Sequence, residues 1–386
     1  MEYTGGTSFT MHAVVHSLAR SEAADVVVLD GRNGNPSEKK HCKYVLLTNF
    51  DVTHTKLSNI LAGQVMALLL LDCSKMELID SSFPFAKGLR VLNIREPSMK
   101  KLPSSICQLT YLNLSGCSGL IKLPESFGNL TSMVYINLSG CSGIKNLPKS
   151  FGNLINVVHV NLSGCHGLDD LPQSFCKLWK LEYLDLSFCS CVKELTVALL
   201  ADLTNLRHLN LSHPCYYAVG HKDHLEQLKN VWAKLTKLQY LNLSMFMNPI
   251  FCYLPEGETL DCLRSIECLS SLGHLDLSHN IFLDDLPDSL GDLNKLHTLH
   301  LSGCIRLKKI AKKITEMKCL KNIVLRKCPS LSYSFPVRTD DDDDDEAYSS
   351  NIIQLEDVTC NELEISCLEK VRSTEEVRNV STLSCL

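Results

Sequence analysis

The string Leu-x-x-Leu-x-Leu-Ser-Gly-Cys returns along most of the chain at steps of about 24 residues, and it constrains the fold more than any other feature. Aligned on it, units open at Leu109, Leu130, Leu154, Leu178, Leu203, Leu235, Leu269, Leu293 and Met317. Degenerate copies precede them, one with Leu68, Leu70 and Cys73 and the next with Leu89, Leu92 and Ile94. The step from Leu109 to Leu130 is 21, which reads as three residues lost between Thr110 and Leu112, and the steps around Leu235 are 32 and 34. A chain of 386 residues exceeds one compact core, for which roughly 100–200 residues is usual. The regular leucines favour one elongated array over two globules.

A unit this short cannot bury its own apolar face, so neighbours must stack to supply a core. The expected fold is α/β: a leucine-rich-repeat solenoid with a curved parallel sheet on its concave face and short helical or irregular segments on its convex side. In the unit around Leu181, strand alternation sends Leu184 and Leu186 inward and Tyr183, Asp185 and Ser187 outward. After each strand comes Cys73, Cys117, Cys141, Cys165, Cys189, Cys304 or Cys328, with Asn280 in one unit. A small side chain with weak hydrogen-bonding ability suits a buried turn. The following Leu-Pro-x-Ser-Phe-Gly, at 123–128 and 147–152, predicts a short helical turn opened by proline, with Phe127, Phe151 and Phe175 forming an inner spine.

One outward slot holds Tyr111, Tyr135, His159, Tyr183, His208, Tyr240 and His274. These are the candidate protein-binding residues, offering flat rings beside the amides and carboxylates of Asn113, Asn137, Asn161, Asp185, Asn210, Asn242 and Asp276. The alternative is that they are strand-compatible consensus residues stacked on one another. The five Asn-Leu-Ser sequences formally match glycosylation acceptors, but they lie inside packed strands. His213, Cys215, His221 and His224 could in principle surround zinc, yet their spacing matches no structural zinc pattern, and they read as loop residues without a metal. Phosphate loops, metal helices and nucleophile turns are not found, and the repeated serines lack any singular base or orienting acid in sequence. Neither an enzyme nor a cofactor is expected.

The net charge of −5 has one source: Asp340 to Asp345 and Glu346 carry seven of 43 acidic residues, leaving 38 basic against 36 elsewhere. No basic face for nucleic acid is indicated. The longest apolar run, Val65 to Leu71, is far short of the ~20 residues needed for membrane insertion as a helix, and Met1 to Met11 lacks the apolar core of a secretory signal. The expected location is cytoplasmic, with the 19 cysteines reduced. The expected boundaries are a lead-in over 1–64, repeats over 65–338, an acidic linker over 339–350 and a tail over 351–386 that could form a partial repeat with a strand near Leu363 to Cys367. Within the lead-in, Val14, Val15, Leu18 and Ala19 can share a helix face, while Val26 to Leu29 and Tyr44 to Leu47 are isolated apolar runs in irregular chain.

The cysteine ladder and Leu-Pro-x-Ser-Phe-Gly-Asn resemble the repeats of plant intracellular nucleotide-binding leucine-rich-repeat immune receptors. Phe9 to Arg20 resembles the Met-His-Asp segment that ends the nucleotide-binding region of that family, and Glu362 to Glu376 resembles a segment leading into further repeats in long grass members. The resemblance implies a receptor cut to its repeat region, with residues 1–64 a remnant of the nucleotide-binding region at its winged-helix end. His12 would be a degenerate remnant of the nucleotide switch, since Ala13 and Ser17 stand where the family has aspartates. It further implies a partner that is a pathogen effector, a guarded host protein or the receptor's own signalling domains. Two other readings stay open: a structural or regulatory repeat adaptor in another intracellular pathway, and a fragment without function of its own.

Overall fold

The computed structural model describes residues 26–30, 43–48, 64–71, 73, 88–95, 99–104, 106, 108–191, 198–213, 222–246, 263, 265–332 and 362–365. His12 and the acidic run lie outside them. Among the described residues are the strands β1 (Val26–Asp30), β2 (Tyr44–Thr48), β3 (Ala67–Leu71), β4 (Val91–Arg95), β5 (Tyr111–Asn113), β6 (Tyr135–Asn137) and β7 (His159–Asn161). These continue as β8 (Tyr183–Asp185), β9 (His208–Asn210), β10 (Tyr240–Asn242), β11 (His274–Asp276), β12 (Thr298–His300), β13 (Asn322–Leu325) and β14 (Glu362–Ile365). All pair in parallel and in chain order, forming one open, curved sheet. The fold is a leucine-rich-repeat solenoid.

Two expectations need correction. Tyr111 pairs with Tyr135, a full 24-residue step, so no residues are missing between Thr110 and Leu112. The short unit is the preceding one, in which Val91 pairs with Tyr111, and the residue aligned with Leu130 is Ile106 rather than Leu109. The ladder also begins ahead of residue 65. Val26 pairs with Tyr44 and Tyr44 with Ala67, so the two apolar runs taken as isolated are rungs of the same sheet. Their β-branched and leucine side chains suffice for a strand although the leucine string is absent.

The core follows from alternation. Leu112, Ile136, Val160, Leu184, Leu209, Leu241, Leu275, Leu299 and Ile323 occupy the centre of successive strands and are all fully buried. Short 3-10 turns at Glu125–Asn129, Lys149–Asn153, Gln173–Lys177 and Asp288–Asp292 close the convex side, each opened by a proline in extended conformation. Proline fits there because its fixed φ suits the turn and the missing N–H leaves no orphan donor. Phe127, Phe151 and Phe175 stack behind them with centroids 5.8 and 5.6 Å apart. In the 32-residue step the short turn is replaced by α1 (Lys222–Lys234), whose Leu228, Val231 and Trp232 are buried.

Cysteine completes the turn after the strand. The thiols of Cys141, Cys165 and Cys189 donate to the carbonyls of Leu114, Leu138 and Leu162 in the previous unit, at 3.1, 3.2 and 3.0 Å. Cys304 and Cys328 repeat the pattern toward Leu277 and Leu301. Burial pushes the thiols of Cys141, Cys165 and Cys304 up, Cys304 to about 12, which keeps them protonated as donors and poor as nucleophiles.

Candidate functional site

The seven rings expected on the concave face form one continuous column. Tyr111 stacks on Tyr135 at 4.3 Å and 4°, Tyr135 on His159 at 4.3 Å and 12°, and His159 on Tyr183 at 3.9 Å and 12°. Tyr183 and His208, His208 and Tyr240, and Tyr240 and His274 follow at 4.2, 4.1 and 4.5 Å. The parallel-strand spacing of about 4.8 Å sets this repeat, because equivalent side chains on adjacent strands stand one above the other. The rings do stack on one another, the alternative reading of this slot, so their faces are spent on neighbours and their edges, phenol hydroxyls and imidazole nitrogens are what the column has left to offer.

The neighbouring polar slot also differs from expectation. The Oδ1 atoms of Asn137, Asn161, Asp185 and Asn242 accept the backbone N–H of the serine two residues on, at 2.8–2.9 Å. These are turn-forming contacts of the kind Asn and Asp make readily. Asn113 and Asp185 are buried, so this slot builds the strand exit.

Burial favours the uncharged forms of Tyr183, His208 and His274. It pushes Tyr183 up to about 12, with Asp185 and the neighbouring tyrosines adding to the effect. It lowers His274 against the pull of Asp276, and lowers His208 to about 4 against that of Asp185. For His208 the folded value lies below the ordinary 6.5, so its contribution to stability is present above pH 6.5 and is lost as pH falls toward 4. We expect a side-chain NMR titration of His208 with a midpoint near 4. His208→Tyr, which continues the column, should flatten the decline of Tm over that interval. A midpoint near 6.5 would show that the ring is not held in the stack.

Some large apolar residues that the sequence did not single out are exposed. Trp179 is 52% exposed, and Ile155 and Val134 are 45% and 40% exposed. Trp179 and Ile155 share the slot just after the 3-10 turn, where Thr131 and Thr204 stand in other units. A large apolar residue in a slot held elsewhere by a hydroxyl was the available signal. Beyond the strands, Phe188, His213, Met245, His279 and Lys327 take positive φ where Gly116, Gly140, Gly164 and Gly303 stand in other units. Phe188 stacks on His213 at 4.3 Å, extending the ring surface past the strand ends. Cys215 and His221 lie outside the described residues, and no group of metal-ligating side chains occurs among the described ones. No described helix is long and apolar enough to cross a membrane.

Comparison with known proteins agrees with the repeat. A leucine-rich repeat region model matches residues 73–251, and a Leucine Rich Repeat model matches 271–293. An Arabidopsis thaliana protein named for a suggested role in disease resistance is 30% identical over 154 residues, which is 37% of this chain and 12% of that protein. The chain thus spans a small part of the curated relative it matches. Among solved structures, a Leptospira interrogans leucine-rich-repeat protein is 19% identical, with 91% of this chain and 96% of that one covered and a TM-score of 0.45. An internalin of Listeria monocytogenes is 16% identical over 84% of this chain and 87% of that one, with a TM-score of 0.47. The repeats are leucine-rich repeats, a class of scaffold suited to protein–protein recognition.

Proposed function

We propose that this chain is a cytoplasmic, non-catalytic recognition scaffold of plant immune defence, which binds a protein through the column from Tyr111 to His274. The partner is a pathogen effector, a guarded host protein or the signalling domains of a receptor. The observation that carries the reading is the column itself. Six successive stacks fix seven rings in one line, so a partner pays little side-chain entropy to engage them. Trp179, Ile155 and Val134 add exposed apolar side chains of the kind that anchor interfaces. The cysteine ladder supports a reducing compartment, since its thiols act as donors and are unbridged among the described residues. The partial similarity to the Arabidopsis protein supports the defence setting.

The test is affinity capture from pathogen-challenged plant tissue, comparing the wild type with Tyr135→Ala, His159→Ala and Tyr183→Ala combined. We expect loss of the captured partner, equivalent to at least ~30-fold in affinity for about 2 kcal/mol of hot-spot energy. Tyr135→Phe with Tyr183→Phe keeps the stack and removes two hydroxyls, and we expect it to weaken capture by a smaller factor. Retention of every partner by the triple variant would refute concave recognition.

A further inference from the structure

The near-neutral balance of the chain outside its acidic run conceals a sharp segregation at one end of the solenoid. Residues 305–328, the repeat that carries β13, hold nine basic residues against the single acidic Glu316. Residues 281–304 hold four aspartates and one lysine, and residues 329–365 hold eleven acidic residues and one arginine. In chain order the basic repeat stands between two acidic stretches. Toward the earlier one its charge is already matched: Arg306 donates to Asp284 through Nε and Nη2 at 2.8 and 3.0 Å, and Lys313 Nζ lies 2.8 Å from both carboxylate oxygens of Asp292. Lys308, Lys309, Lys318 and Lys321 are exposed on the same repeat, and like charges gathered on one unit repel one another.

We propose that this repeat is the docking surface for the chain's own acidic run, with the carboxylates of Asp340 to Glu346 set against Lys308, Lys309 and Lys318. The ladder brings the two together. Ser330 Oγ donates to the Ile305 carbonyl at 2.5 Å, so the chain leaves Ser332 beside the basic repeat, and it returns in β14, where Glu362 pairs with Asn322 of β13. Both ends of the stretch 333–361 are therefore held at this repeat. The run begins eight residues beyond Ser332, a span of at most ~29 Å. Tethering of this kind gives an effective concentration on the order of millimolar. A single exposed ion pair contributes little, but seven tethered charges relieve the repulsion within the run and within the repeat together. Docked there, the run covers the most basic stretch of the chain and keeps polyanions such as nucleic acid from it. This surface does not depend on the recognition role of the ring column.

The whole chain is treated with a water-soluble carbodiimide, which joins a carboxylate to an amine only where the two already touch, and the links are mapped by peptide mass spectrometry. The pair Lys313 and Asp292 is the internal positive control. We expect amides from residues 340–346 to Lys308, Lys309 and Lys318, at least ~10-fold more abundant than links to the exposed Lys122, Lys145 and Lys149 of earlier repeats. They should be lost in salt of about 1 M, where the screening length falls to ~3 Å. Asp340→Asn through Asp345→Asn uncovers the repeat, so a fluorescent peptide of residues 336–350 should bind that variant in trans and bind the wild type at least ~10-fold more weakly. Links spread evenly over the lysines of all repeats, or confined to covalently joined dimers, overturn the assignment. So does a single-stranded oligonucleotide that binds the wild type as tightly as the variant, because the basic surface is then open in both.

Discussion

Replacing Phe151 by alanine will lower the unfolding free energy by about 4 kcal/mol, in the range of ~3–5 kcal/mol for fully buried aromatic truncations. Phe151 is fully buried and stacks on both Phe127 and Phe175. Its removal therefore opens a void shared by two inter-repeat contacts. In a solenoid each unit touches only its neighbours, so the whole loss falls on the interfaces at Phe127 and Phe175. Partial collapse is limited because the adjoining turn is close-packed: a Cβ at Gly152 would run into the Ser174 backbone. Phe127→Ala and Phe151→Ala should combine to less than the sum of their separate effects, since they remove a common contact. Urea denaturation followed by circular dichroism measures this. A loss below about 1 kcal/mol would mean that the spine is not what couples the repeats.

The spine was legible because Leu-Pro-x-Ser-Phe-Gly repeats in phase with the leucines. The stripe of Tyr and His was legible for the same reason: a period-two strand embedded in a 24-residue repeat fixes both the face and the neighbour of each side chain. Other features depend on quantities that a string of letters does not carry. The spacing between parallel strands turns a row of rings into a closed stack, and only the register shows that their faces are consumed. β1 and β2 escaped because hydrophobic runs without the leucine string are short enough to be read as loop. Leu109 was misplaced because Ile106 and Leu109, three residues apart, both fit the opening slot, and only the pairing of Tyr111 with Tyr135 separates them.

Asn280 offers a second large effect, because it occupies the cysteine slot with a stronger donor. It is fully buried, and its Nδ2 donates to the Leu243 carbonyl at 2.9 Å and to the Leu277 carbonyl at 2.8 Å. A thiol in the same slot donates once and weakly, as Cys304 does to Leu277 at 3.2 Å. The unit before Asn280 is the 34-residue step from Tyr240 to His274, and Phe246, which stands in the slot there, has no side-chain donor. Asn280→Ala strips a buried partner from two carbonyls at once. Each carbonyl keeps one other donor, the Phe246 N–H for Leu243 and the Cys304 thiol for Leu277, so at ~0.5–1.5 kcal/mol for each hydrogen bond lost the expected loss is about 2 kcal/mol. Asn280→Cys returns one donor to the slot and should recover about half of it. The ordering of unfolding midpoints, wild type above Asn280→Cys above Asn280→Ala, separates hydrogen bonding from packing. Cysteine fills the cavity almost as well as asparagine, so a packing role alone would bring Asn280→Cys up to the wild-type midpoint. If the slot required only an amide, Asn280→Cys would fall to the midpoint of Asn280→Ala, and the equivalence of thiol and amide along the ladder would be lost.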